Sequence, residues 1–105
     1  MTKEDSWITS YRCHCVALLR GCSVEEVFAE LFGFSNGATK GKGGSMHIAD
    51  FNVNMLGANG VVGANITIGA GAAHGVKLQG GDQVVVDIFG DGRDAPDFSR
   101  RPSQV

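Results

Sequence analysis

Hydrophobic and polar positions alternate between patterned stretches and one long unpatterned segment. Trp7-Ile8-Thr9-Ser10-Tyr11 is β-branched and aromatic and predicts a short strand. Val16-Ala17-Leu18-Leu19-Arg20 predicts one or two helical turns, stopped by Gly21. Ser23 and Glu26 have the spacing of a capping box, which starts a second helix. In it Val24, Val27, Phe28, Leu31 and Phe32 share one helical face, while Glu25, Glu26 and Glu30 fall off that face. Gly33 ends it. The pattern predicts a packed amphipathic helix without chemistry of its own.

From Ser35 to Gly63 no period holds, and glycine recurs at 37, 41, 43, 44, 57, 60 and 63. A structureless loop this long is either functional or disordered. Interleaved Met46, Ile48, Phe51, Met55 and Leu56 oppose disorder, because they gain by packing. The glycines then serve either close approach of backbone to a ligand or ordinary tight turns. Helical spacing returns over Ile66 to Leu78, with Gly69, Gly71 and Gly75 among alanines. Each interior glycine costs about 0.5–1 kcal/mol relative to alanine, so close packing against a strand or a neighbouring subunit is expected in return. Val84 to Phe89 reads as a buried strand that empties into Gly90-Asp91-Gly92. The order of strand, helices, glycine-rich loop, small-residue helix and strand is an α/β layout with a parallel sheet.

Composition narrows the classes. A chain of 105 residues is one small domain or part of a larger one. Its net charge of −2 and the lack of a long basic run exclude a nucleic-acid module. No apolar run is long enough to span a bilayer. Cys13, Cys15 and Cys22 form an odd set in one short segment, which predicts free thiols in a reducing compartment. Cys-x-Cys around His14 lacks the second ligand pair of a zinc site. His74, in the small-residue helix, reads as a packed or surface histidine, while His47 borders the glycine loop and could face a substrate.

The acid between two glycines at the end of the last strand is the remaining chemical signal. Ligands collect at the carboxyl ends of strands in open α/β sheets, so Asp91 is placed either for a metal or phosphate or simply for a turn. Set beside other stretches it becomes more specific. Tyr11-Arg12-x-His14, Val24 to Gly33, Lys40-Gly-Lys-Gly-Gly-Ser-Met-His47, Leu56-Gly-Ala-Asn-Gly-Val-Val-Gly63 and Phe89-Gly-Asp-Gly92 occur in order. Together they resemble the α subunit of thiamine diphosphate-dependent 2-oxo acid dehydrogenases, over about Trp7 to Gly92. The Lys40 to His47 stretch resembles the pyruvate and acetoin dehydrogenase branches.

That resemblance implies a partial thiamine diphosphate-binding fold, with thiamine diphosphate and Mg²⁺ as cofactors. Tyr11 and Arg12 match a pair that contacts the diphosphate, chemistry that suits a phenol and a guanidinium fork. Gly60 and Val62 match positions whose backbone holds the aminopyrimidine ring, and Asp50 matches a position near the cofactor. Asp91 matches the magnesium ligand, with Gly92 and Arg93 next along the diphosphate; a carboxylate suits a metal that takes oxygen ligands. The implied activity is that of the first, decarboxylating component of a 2-oxo acid or acetoin dehydrogenase complex. Its acyl group passes to a lipoyl-bearing acyltransferase. A β subunit completes the site in an α/β heterotetramer, and no residue here replaces the acid that subunit contributes. The implied compartment is the mitochondrial matrix or the bacterial cytoplasm.

The chain departs from the family pattern after Gly92. Arg93-Asp94-Ala95-Pro96 replaces the expected small residue and asparagine, and Pro96 would interrupt the helix expected to face the anion. Residues 93–105 are charged, hold both prolines and lack any period, so they are expected to be a divergent, disordered tail after a fragment spanning 1–92. The second metal-binding asparagine, the family's upstream catalytic histidine and its downstream histidine loop have no counterpart. The chain is therefore expected to be incomplete and inactive alone. A non-catalytic interaction module acting through the Gly69–Gly75 helix, or an unstable truncated product, stands as the alternative.

Overall fold

A computed structural model describes residues 2–90. Three parallel strands form one sheet: β1 (Ser6–Ser10) lies in the centre, β2 (Met55–Asn59) on one side and β3 (Val85–Ile88) on the other. The fold is α/β, as the element order predicts. Ile8 and Thr9 of β1 are buried, as befits a central strand covered on both faces. Trp7 lies opposite Met55 and Val86, and Ile8 opposite Gly57 and Asp87, so the two faces alternate along the strands. At the amino end of the sheet, the buried Asp5 carboxylate accepts the Val84 N–H at 2.9 Å, and the Ser6 N–H donates to the Val84 carbonyl at 2.9 Å. Those bonds set the register of β1 on β3, and the Val84 N–H, with that of Thr2, holds the Asp5 carboxyl below its ordinary range.

Parallel neighbours require crossovers, and helices supply them. Between β1 and β2 run α1 (His14–Arg20) and α2 (Val24–Leu31). Gly21 ends α1 in the left-handed conformation, φ 111°, where a glycine was expected to stop the helix. Ser23 is the N-cap of α2, but its hydroxyl makes no capping bond, so the capping box sets the position of the helix start without its side-chain interaction. Val16, Ala17, Cys22, Val27, Ile48 and Met55 form the core on this side, with Trp7 and Ile88 packed against it.

Between β2 and β3 runs α3 (Ala64–Leu78), on the opposite face. Only Gly69 of its three interior glycines meets the sheet. A Cβ there would lie 3.5 Å from Ile8 Cγ2 and 3.7 Å from Asp87, whereas Gly71 and Gly75 have nothing within 4 Å. The expected close packing of this helix on a strand is therefore made at one glycine. Asn65, fully buried in the first turn, donates to the Asp87 carboxylate and to the Ile88 carbonyl, tying α3 to the last strand.

Two expectations are corrected. The segment Ser35 to Gly63 is not devoid of regular structure: it contains 3₁₀ turns at Gly44–Met46 and Phe51–Val53, and then β2. Met55-Leu56-Gly57-Ala58-Asn59 carries little intrinsic strand preference, and Gly57 sits at φ 145°. Pairing with β1 makes it a strand, a tertiary contact that overrides local propensity. The second correction concerns α2. Val27 is 3% exposed, but Val24, Phe28 and Phe32 of the predicted apolar face are 56%, 56% and 73% exposed, and Glu30 is fully buried. The helix is turned so that its carboxylate, not the full apolar stripe, faces inward.

Candidate functional site

Because all three strands run the same way, their carboxyl ends lie along one edge. Tyr11 and Arg12 follow β1, Gly60 follows β2, and Phe89 and Gly90 follow β3. A cleft of about 260 Å³ opens there between β1 and β3, lined by Ser10, Tyr11, Arg12, Cys13, Ile88, Phe89 and Gly90. Tyr11 and Arg12 are both exposed, so a phenol hydroxyl and a guanidinium stand free at its mouth. Two parallel N–H donors from a guanidinium match phosphate oxygens, so this donor set fits a diphosphate. The Tyr11 N–H donates to the Asn59 carbonyl at 2.9 Å, which fixes the turn after β1 to the end of β2. Asn59 Oδ1 in turn accepts the Val61 N–H at 2.9 Å, shaping the bend that holds Gly60 and Val62. From that bend α3 begins, its positive dipole end at the same edge.

The glycine-rich loop reaches this edge from the other side. It is built around Glu30. Oε2 accepts the N–H groups of Thr39 and Gly41 at 2.8 Å each, and Oε1 those of Gly43 at 2.8 Å and Gly44 at 3.0 Å. Burial pushes the Glu30 carboxyl up. Its hydrogen bonds from the Thr39 hydroxyl and from the backbone of Gly41, Gly44 and Thr39 outweigh that and hold it down at about 2. The glycines are what let the chain wrap so tightly. A Cβ on Gly37 would lie 2.6 Å from Glu30 backbone atoms, and one on Gly41, at φ 75°, would lie 2.5 Å from the Gly33 carbonyl oxygen. What these glycines let the backbone approach is the chain's own Glu30 carboxylate, not a ligand.

Beyond Gly44 the loop delivers three side chains. His14 Nε2 lies 2.9 Å from the Ser45 carbonyl oxygen and 3.0 Å from its hydroxyl. The His47 ring lies over Gly60, close enough that a Cβ there would come within 3.1 Å of Cε1, and Met46 reaches the same glycine. His47 therefore stands beside the bend of Gly60 and Val62. His74 is exposed on α3.

Of the residues singled out in the sequence, Tyr11, Arg12, Gly60 and Val62 share the carboxyl edge. Asp50 does not join them. It bridges to Met55 through paired backbone bonds of 3.0 Å, and its side chain accepts the Asn52 N–H at 3.0 Å, capping the 3₁₀ turn. That puts it at the amino end of β2, about 13 Å of strand rise from the carboxyl edge. Its neighbour there is Cys22, whose thiol is pushed up to about 11 by burial and by the charges of Asp50 and Glu26. Asp91, Gly92, Arg93 and the tail at 93–105 lie outside the described residues. Sequence reasoning assigned no role to Glu30 or Ser45, and marked His14 only within the Tyr11-Arg12-x-His14 stretch and an incomplete zinc set. The available signal was a carboxylate on a helix otherwise destined for burial, followed by a run of glycines with no partner of its own.

Residues 1–96 match the model of the family described as the dehydrogenase E1 component. Over 92 residues the chain is 45% identical to pyruvate dehydrogenase E1 component subunit alpha-1, mitochondrial, of Arabidopsis thaliana, covering 88% of this chain and 24% of that protein. It is 48% identical over 88 residues to the somatic, mitochondrial form of the E1 alpha subunit of Homo sapiens, covering 84% of this chain and 22% of that protein. It is 47% identical over 90 residues to the mitochondrial E1 alpha subunit of Chaetomium thermophilum, covering 86% and 21%. The chain thus spans less than a quarter of the length of these relatives. A family model that matches residues 1–96, with relatives 45–48% identical over most of this chain, places the chain in the dehydrogenase E1 component family.

Proposed function

We propose that this chain supplies the α-subunit side of a thiamine diphosphate–Mg²⁺ site in the decarboxylating component of a 2-oxo acid dehydrogenase complex. The observation that carries the reading is the convergence of Tyr11, Arg12 and the Phe89–Gly90 end of β3 on one cleft at the carboxyl edge. Arg12 and Tyr11 hold the diphosphate by charge-assisted hydrogen bonds. Gly90 leads directly to Asp91, whose carboxylate takes the cation, with Gly92 and Arg93 next along the diphosphate. Gly60 and Val62 present backbone to the aminopyrimidine, and the His47 ring closes that bend from above. Thiamine diphosphate held there would supply the electron sink for decarboxylation, with a lipoyl arm as the proposed acceptor of the acyl group.

Pyruvate is the favoured substrate, because the relatives named above are pyruvate dehydrogenase subunits. Those relatives are named mitochondrial, which favours the mitochondrion over the bacterial cytoplasm for this chain. A β subunit and a lipoyl-bearing acyltransferase are the proposed partners. The wide exposure of Val24, Phe28 and Phe32 supports a partner surface as a second role for this chain. The test is reconstitution of this sequence in a full-length α subunit with its β subunit. Arg12→Ala is expected to raise the thiamine diphosphate concentration needed for half-maximal decarboxylation. An unchanged requirement would contradict the assignment.

A further inference from the structure

We infer that Glu30 is a positioning residue for the carboxyl edge, the buried anchor through which Ser45 and His47 are held against His14 and Gly60. The inference rests on the proposed function only for what the edge binds. Glu30 itself touches nothing at the cleft; its influence travels through backbone. A carboxylate with no exposure to solvent must be fully hydrogen-bonded to remain charged, and this one takes two N–H groups on each oxygen. The last two donors, Gly43 and Gly44, directly precede Ser45. Ser45 meets His14, and the His47 ring covers Gly60 three residues after Gly44. The Gly43 backbone is itself pinned, since a Cβ there would lie 2.7 Å from the His47 carbonyl oxygen. With the donors spaced along Thr39 to Gly44, the loop has one carboxylate as its common centre, and the two histidines inherit their places from it.

Glu30→Gln in the 105-residue chain tests this. The amide nitrogen of glutamine would face two backbone N–H groups with donors of its own, so that half of the grip is lost while side-chain volume is kept. The NMR signals of the His14 and His47 rings are expected to shift, while that of His74, remote on α3, stays in place. Glu30→Asp, which keeps the charge with a shorter reach, is expected to shift them less. Affinity for thiamine diphosphate with Mg²⁺ is expected to fall roughly tenfold in Glu30→Gln. Unmoved His14 and His47 signals in a folded Glu30→Gln chain would overturn the inference. Should that variant unfold, hydrogen exchange in the unaltered chain decides: protected amides at Thr39, Gly41, Gly43 and Gly44 uphold the anchor, and exchange at free-loop rates overturns it. Shifted histidines in a chain that shows no cofactor binding at all would uphold the anchor and remove the cofactor reading instead.

Discussion

His14 Nε2 lies 2.9 Å from the carbonyl oxygen of Ser45, a residue 31 positions later in the chain. The bond fastens the turn after Tyr11-Arg12 to the far end of the glycine-rich loop. A carbonyl oxygen only accepts, so Nε2 carries a proton in this contact. Nitrogen chemical shifts of the His14 ring are expected to report Nε2–H; the Nδ1–H tautomer would contradict the contact. His14→Ala is expected to cost about 1 kcal/mol in denaturant unfolding.

Glu30 makes stability depend on pH at the acid end. Its carboxyl sits at about 2 in the fold against an ordinary 4.5, so the unfolded chain binds this proton first as pH falls. The contribution is fully present above about pH 4.5 and is lost progressively between there and pH 2. Urea midpoints measured across that window are expected to decline, and Glu30→Gln is expected to flatten the decline. An equal slope in both proteins would exclude Glu30 as its source.

Glycines in this chain divide by what surrounds them. Gly41→Ala forces a side chain into a left-handed backbone and against the Gly33 carbonyl, and is expected to destabilise by about 2 kcal/mol or more. Gly71→Ala, in the interior of α3 with nothing within 4 Å, is expected to stabilise by about 0.5–1 kcal/mol. Thermal unfolding of the two variants checks the contrast. Should Gly71→Ala preserve the isolated chain yet weaken β-subunit assembly, the open face of α3 is a docking face.

Much of this layout was legible in the residues. Trp7 to Tyr11 and Val84 to Phe89 announce strands because β-branched and aromatic side chains suit a sheet, and Gly21 stops α1 where a left-handed cap is needed. The last strand, Val85–Ile88, is nonetheless a half-buried edge strand with Val84 and Phe89 exposed, rather than the buried strand expected. β2 was hidden because Met55 to Asn59 owes its extended form to β1. Glu30 was hidden because helical periodicity ranks a carboxylate as solvent-facing, and its partners are backbone amides that carry no residue signature. The carboxyl-edge placement of Tyr11, Arg12 and Gly60 follows from parallel topology, and Asp50 falls at the other end because the chain reverses at the 3₁₀ turn before entering β2.

The three thiols should differ in reactivity. Cys15 is exposed, Cys13 partly so, and Cys22 is buried, with its ionisation raised to about 11. Thiolate is the reactive form, so iodoacetamide at pH 8 is expected to label Cys15 first and Cys22 last. Labelling of Cys22 at the rate of Cys15, read by mass spectrometry, would show that the core between α1, α2 and β2 is open.

The central claim is that the carboxyl edge holds a diphosphate and a divalent cation. Titration calorimetry of the 105-residue chain with thiamine diphosphate in the presence of Mg²⁺ tests it most directly. Saturable heat is predicted, with affinity lowered by Arg12→Ala, lost in Asp91→Ala and retained in Asp50→Ala. No heat from the unaltered chain, or heat with unchanged affinity in Arg12→Ala, would contradict it.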